Sequence, residues 1–205
     1  MIRVLSLLIG LLVLGVIGTP QLQAETVNPI PKIDDLIRAN QYNEAVILTR
    51  QAAEAENVES EFRLGIFYWH GVGVGQNYLE ALHWVTLAAL SGHEKAVAAR
   101  KLMLPKVDPA NWPKTLDWAR QRLQKTAETG NNLNLVALSK SYSADFGFEN
   151  TIEEYYWASL SVAVGDNLLL KHRDELSKKV AVPDAAKAQD RMTAWLEKWR
   201  KEKSQ

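Results

Sequence analysis

The sequence predicts an all-α protein, an α-solenoid of stacked antiparallel helix pairs with a C-terminal capping helix. Three observations predict it. The stretch 64–96, LGIFYWHGVGVGQNYLEALHWVTLAALSGHEKA, reads as a helix, a glycine-rich turn and a second helix. Parts of its spacing recur 36 residues earlier and about 38 and 74 residues later, the mark of a helix-pair array. The last segment places Ala185, Ala188, Met192, Trp195 and Trp199 along one side and charge along the other, as an end cap requires.

The chain opens on Arg3 and an apolar run over 4–18, broken by Pro20 and followed by Leu22-Gln23-Ala24. This is the order of a cleavable secretory signal, so 1–24 is expected to be removed after Ala24. The run is shorter than the roughly 18 residues of a spanning helix. A periplasmic or secreted location follows, with no stable membrane insertion after cleavage; the alternative is an inner-membrane anchor formed by an uncleaved signal.

The repeat domain is expected over 25–205. After the turn residues Pro29 and Pro31 comes a short helix, KIDDLIRAN, and then YNEAVILTRQAAEAE. Ala45, Leu48, Ala52 and Ala53 precede Ala81, Trp84, Ala88 and Ala89 by 36 residues, so 30–59 is a degenerate first copy. In it Leu48 replaces the tryptophan and Glu56 stands where Gly92 would be.

The clearest unit is 60–96. Leu64, Gly65 and Tyr68 share a helix face, and Gly65 lets a second helix approach. Gly71, Gly73 and Gly75 are expected to break the helix in positive-φ conformations. Asn77 with Glu80 reads as a capping box. Ala81, Trp84, Val85, Ala88 and Ala89 form the packing face of the second helix, and Gly92 follows its end. These positions fill the pattern L-G-x-x-Y-x-x-G-x-G-V-x-x-D, then A-x-x-W-x-x-x-A-A-x-x-G-x-x-x-A, through Leu64, Gly65, Tyr68, Gly71, Gly73, Val74, Asn77, Ala81, Trp84, Ala88, Ala89, Gly92 and Ala96. The stretch resembles a Sel1-like repeat, a relative of the tetratricopeptide fold, with Asn77 for Asp as the one departure.

A third copy is expected over 97–130. The helix AVAARKLML ends before Pro105, and KVDPANWP is a loop. In the helix from about 112 to 128, Ala119, Ala127 and Gly130 follow Ala81, Ala89 and Gly92 by 38 residues. Arg122 takes the tryptophan slot, with Trp118 one turn earlier to fill the space, and the glycine hairpin is missing. A fourth copy spans 131–169. Leu138 and Tyr142 match Leu64 and Tyr68, Ser139 replaces Gly65, and Asn150, Glu153, Trp157 and Gly165 repeat Asn77, Glu80, Trp84 and Gly92. Capping helices are expected over 168–203.

Composition narrows the function. Hydrophobic residues make up 47% of the chain, enough for a core, and the net charge is zero, which gives no pull toward nucleic acid. There is no cysteine, hence no disulfide, no thiol chemistry and no lipoprotein anchor. Charge is uneven: 25–95 holds five Lys/Arg against ten Asp/Glu, and 171–205 holds ten against six. Solvated helix faces explain this; the functional alternative is self-association through unlike ends.

No chemistry stands out. His70, His83, His93 and His172 lack the spacing of a helical zinc pair, and His172 beside Asp174 and Glu175 reads as a charged surface. The glycines over 71–75 follow a helix rather than a strand and lack a phosphate-loop Lys-Ser/Thr. No cofactor and no metal is implied. The resemblance implies a non-catalytic module that binds a protein or peptide partner, here as a periplasmic adaptor or regulator in envelope assembly or signalling. The rivals are a glycan-processing envelope enzyme using Glu153 or Glu154, and a self-assembling subunit. By resemblance to tetratricopeptide arrays, the first helix of each pair lines the concave face. With Glu61, Leu64, Gly65 and Tyr68 facing the core, the far side at about 100° per residue is Arg63, Ile66 and His70, flanked by Phe67. Lys140 is the later equivalent of Ile66. Arg63, Ile66, Phe67, His70 and Lys140 are therefore the expected partner-binding residues.

Overall fold

The computed structural model describes residues 28–128 and 131–203. The signal segment, its Ala24 cleavage point and Gly130 lie outside the described residues. Ten α-helices are described, and no strand among the described residues: α1 (Ile30–Arg38), α2 (Tyr42–Glu54), α3 (Val58–His70), α4 (Tyr78–Leu90), α5 (Glu94–Met103), α6 (Trp112–Ala127), α7 (Asn132–Ser141), α8 (Thr151–Ala163), α9 (Leu170–Ser177) and α10 (Val182–Lys203). Helices neighbouring in sequence pack on one another through α5 and again from α6 to α9, and α10 returns onto α8. This is the stacked helix-pair solenoid the spacing predicts.

α4 is the centre. Nine of its residues, including every one from Trp84 to Leu90, are buried. A helix apolar nearly all round must have neighbours on both sides, and α4 has them. One side joins a core with Leu64, Phe67, Leu116, Leu123, Leu135, Leu138 and Trp157. The other joins Ala96, Met103 and Val107 in a second cluster that Trp112 covers.

The local signals explain the ends. Asn77 accepts from the backbone N–H groups of Leu79 and Glu80, both at 3.1 Å, and opens α4. Gly71 and Gly73 hold φ of +69° and +65° in the preceding turn. Gly75 does not adopt a positive φ and has open space around it, so two glycines rather than three make this turn. Gly92 (φ +94°) and Gly165 (φ +102°) close α4 and α8 in the left-handed conformation.

The third pair departs from a hairpin. α5 and α6 both lean on α4 rather than chiefly on each other. Their connection has no glycine turn; it runs through two 3₁₀ turns, Leu104–Lys106 and Pro109–Asn111, and plugs Val107 into the second cluster. The last helix, α10, starts at Val182 and takes Pro183 into its first turn. Proline is tolerated in a first turn, where its missing N–H has no intrahelical acceptor to lose. Ala188 is buried, and Ala185, Met192, Trp195 and Leu196 pack against the main core.

Candidate functional site

Three residues break the chain's own repeat, and they meet in one place. Glu56 holds the slot that is Gly92 in the second pair and Gly165 in the fourth. Arg122 holds the slot of Trp84 and Trp157. Glu61 holds a slot that, 74 residues later, is the fully buried Leu135. All three line a pocket of about 240 Å³ between the α2–α3 turn, α3, α4, α6 and the start of α7. That volume is room for roughly eight waters.

Glu61 is on the inward stripe of α3, one turn before Leu64 and Gly65, so the helix period carries its carboxyl into the interior. It is 3% exposed, and its Oε2 has no hydrogen-bond partner among the described residues. Burial pushes its pKa up to about 8, against the pull of the Arg122 charge, with Glu56 adding to the rise. The acid is therefore neutral at pH 7 and offers an O–H donor. Its other charged neighbours are Glu54 from α2 and Lys125 from α6; α4 and α7 present only uncharged groups, Leu87, Ser91, Asn131, Leu133 and Asn134.

Arg122 lies over the rings of Trp84 and Trp118, at 5.0 and 5.2 Å from their centroids. Trp118 meets Trp84 edge-on at 5.2 Å. A cation against two indoles thus stands in the third copy's version of the slot that holds Trp84 in the second and Trp157 in the fourth. Among the described residues, its guanidinium reaches no hydrogen-bond acceptor.

Glu56 adopts φ +65°, left-handed backbone that costs a non-glycine residue about 1 kcal/mol. Its Oε2 accepts from Asn131 Nδ2 at 2.7 Å and, more weakly, from Asn134 Nδ2 at 3.5 Å. The strained turn therefore delivers a carboxylate to the N-terminal end of α7, where the helix dipole favours negative charge.

The five residues expected from the sequence are not gathered on one open face. Arg63 is half-buried and tied to Glu59 (2.6 Å) and to Asp34 of α1. Ile66 packs against the second cluster, and Phe67 is 8% exposed within the main core. α3 is sandwiched by α2 and α4, which leaves Arg63 and Ile66 only partly exposed. His70 is exposed at the end of α3, and Lys140 borders a different cleft with Arg100, Asp145 and Phe146. The carboxylates weighed for catalysis are both engaged: Glu153 with Arg191 at 2.6 Å, and the buried Glu154 with His172 Nε2 at 2.7 Å. Sequence reasoning missed Glu61 and Arg122 as a pair. The signal was present, a carboxylate on a core-facing stripe and a cation in a tryptophan slot.

Residues 34–57 and 58–93 match the family model of the Sel1 repeat, so the chain carries Sel1-like repeats over that part. Sel1 repeats are, in general, protein-interaction modules. No curated protein matches the chain.

Proposed function

We propose that this protein is a non-catalytic adaptor or regulator of the cell envelope, exported by its N-terminal signal, and that it grips a protein partner at the pocket between α3, α6 and α7. The observation that carries the reading is the convergence of Glu56, Glu61 and Arg122 in one pocket. A core gains nothing from burying an acid whose oxygen finds no partner among the described residues, and Arg122, partly exposed beside it, adds a guanidinium with no acceptor there. Such groups are kept where something else satisfies them. The pairing of Glu153 with Arg191 and of Glu154 with His172 favours this over a carboxylate-driven hydrolase.

The test uses the chain from Glu25 onward carrying a photo-crosslinking residue in cells of the source organism. One variant places it at Leu133, 67% exposed on the pocket's rim; the other at Leu102, 76% exposed on α5 away from it. A discrete adduct from position 133 alone is the expected result. Equal adducts from both, or none from either, would sink the site. Fractionation of the unlabelled protein checks the compartment: recovery of the uncleaved chain in the cytosol would end the envelope reading.

A further inference from the structure

We propose that this pocket takes the free C-terminal end of a partner peptide whose last side chain is aliphatic, with Arg122 pairing the terminal carboxylate and Glu61 donating its acid hydrogen to it. This rests on the adaptor reading above and names its ligand chemistry.

The unmet groups define the ligand. Arg122 offers planar N–H donors that meet no acceptor among the described residues, with its guanidinium carbon 5.0 and 5.2 Å from the Trp84 and Trp118 ring centroids. Glu61 is 97% hidden from solvent, lines the pocket and has an oxygen without a partner. Kept neutral by burial, it is a donor too. Both therefore ask for an acceptor, and a carboxylate serves a guanidinium fork and an acid O–H together, with less negative charge to set beside Glu56 than a phosphate brings. A cationic ligand is disfavoured, because it would sit against Arg122. The start of α7 adds positive potential on the same side, and the chain's own Glu56 already places a carboxylate there.

The rest of the lining selects a chain end over an acidic side chain. Leu87, Leu123, Val58 and Leu133 give the same pocket aliphatic walls, Leu87 and Leu123 buried and Leu133 67% exposed. A C-terminal residue carries its carboxylate and its side chain on one carbon, so both fit at once. An Asp or Glu side chain would leave those walls bare.

The experiment titrates the chain from Glu25 onward with acetyl-Ala-Ala-Leu as the free acid and as the amide, following the indole N–H signals of Trp84 and Trp118 by NMR at pH 6.5. The acid is expected to bind at least tenfold more tightly than the amide and than acetyl-Ala-Asp-Ala-amide. Arg122→Gln, which keeps the stem over the tryptophans, is expected to lose at least tenfold; Arg122→Ala repeats the result if it keeps the parent's helical circular dichroism. Parent affinity should fall above pH 8 as Glu61 ionises, whereas Glu61→Gln, still a donor, binds at pH 6.5 and shows no such fall. Equal binding of acid and amide, equal binding of the aspartyl peptide, parent-like affinity in Arg122→Gln, or no binding of any probe overturns the proposal. A partner adduct at position 133 that persists in those cases leaves the adaptor reading standing and removes only the chain-end ligand.

Discussion

The hairpins α3/α4 and α7/α8 share one spacing, 73 to 74 residues apart, and solve the same packing problem in two ways. In the first, the closest approach is at Gly65. A Cβ there would lie 2.5 Å from Val85 Cγ2 and 3.1 Å from the Ala81 carbonyl oxygen. In the second, the slot holds Ser139, and the facing positions are Ala158 for Val85 and Glu154 for Ala81. The smaller Ala158 leaves room for the serine, and Ser139 Oγ donates to the Glu154 carbonyl at 3.1 Å. A glycine against a valine and a serine against an alanine are two fillings of one space. Bulk moved from one helix to the other, and a hydrogen bond came with it. The connecting turns keep a common closure: Asn77 N–H donates to the Tyr68 carbonyl at 3.0 Å, and Asn150 N–H to that of Tyr142 at 2.9 Å.

Swapping the fillings separately should break the first hairpin most severely. Gly65→Ser alone is expected to cost about 3 kcal/mol by urea denaturation, from overpacking against Val85. Val85→Ala alone should cost about 2 kcal/mol, from the lost burial and the cavity. The double variant recreates the second hairpin and is expected to cost no more than about 2 kcal/mol in total, a coupling of about 3 kcal/mol. Additive costs would mean that the two hairpins do not share this space.

The turns differ next. Gly73 combines a positive φ with contact: a Cβ there would run into the Tyr42 carbonyl at the start of α2. Gly147 has φ +91° and open space around it. Gly73→Ala is expected to cost about 2–3 kcal/mol and Gly147→Ala about 1 kcal/mol, the left-handed penalty alone. Equal thermal shifts would show that the first turn does not press on the neighbouring pair.

How far the sequence reaches follows from the same positions. Gly65, Asn77, Trp84 and Gly92 are legible because each does a local job that its residue type announces, and the helix order and family follow from them. Gly75 misled, because glycine identity does not reveal whether a φ is positive. The splayed α5/α6 pair was signalled only by a missing glycine turn; that α4 would take both helices depends on Val107 and Met103 filling its second face, a tertiary fact. Phe67 was placed by period on the flank of α3, yet α2 covers that flank. The pocket was half legible: Glu56 and Arg122 stand out as departures from the repeat, but only the fold brings them to Glu61.

Glu61 and Leu135 give the comparison a pH dependence. Unfolded, a glutamic acid ionises near 4.5; in the pocket it stays protonated to about 8. Between those values the unfolded chain binds fewer protons than the folded one, so this residue lowers stability as pH rises. Glu61→Leu, which copies Leu135, or Glu61→Gln is expected to raise stability by about 1–3 kcal/mol at pH 8 and by little at pH 4.5, read from denaturation midpoints at the two pH values. A parent whose stability shows no extra fall over that window relative to Glu61→Gln would remove the neutral acid from the pocket.

The smallest difference lies at the third residue of each second helix. Glu80 and Glu153 occupy the same slot, but the hydrogen bonds to the cap residue are where the likeness ends. Among the described residues, the Glu80 carboxylate has His83 Nδ1 at 3.8 Å. Glu153 receives Arg191 Nη1 and Nη2 at 2.6 and 3.1 Å, and that guanidinium also lies 4.1 Å from the Tyr156 ring centroid. The bidentate pair fixes the register of α10 on α8, so it belongs to the end cap and not to the repeat. Because both partners are partly exposed, the gain is modest and salt-sensitive. Glu153→Ala is expected to cost about 0.5–1 kcal/mol more than Glu80→Ala at low salt, with the gap narrowing in 1 M NaCl. Hydrogen exchange should localise the loss to α10, whose amides would exchange faster while those of α3 and α4 keep their protection. Faster exchange throughout the array would instead make this pair part of a single cooperative unit, with the cap no more separable than any hairpin.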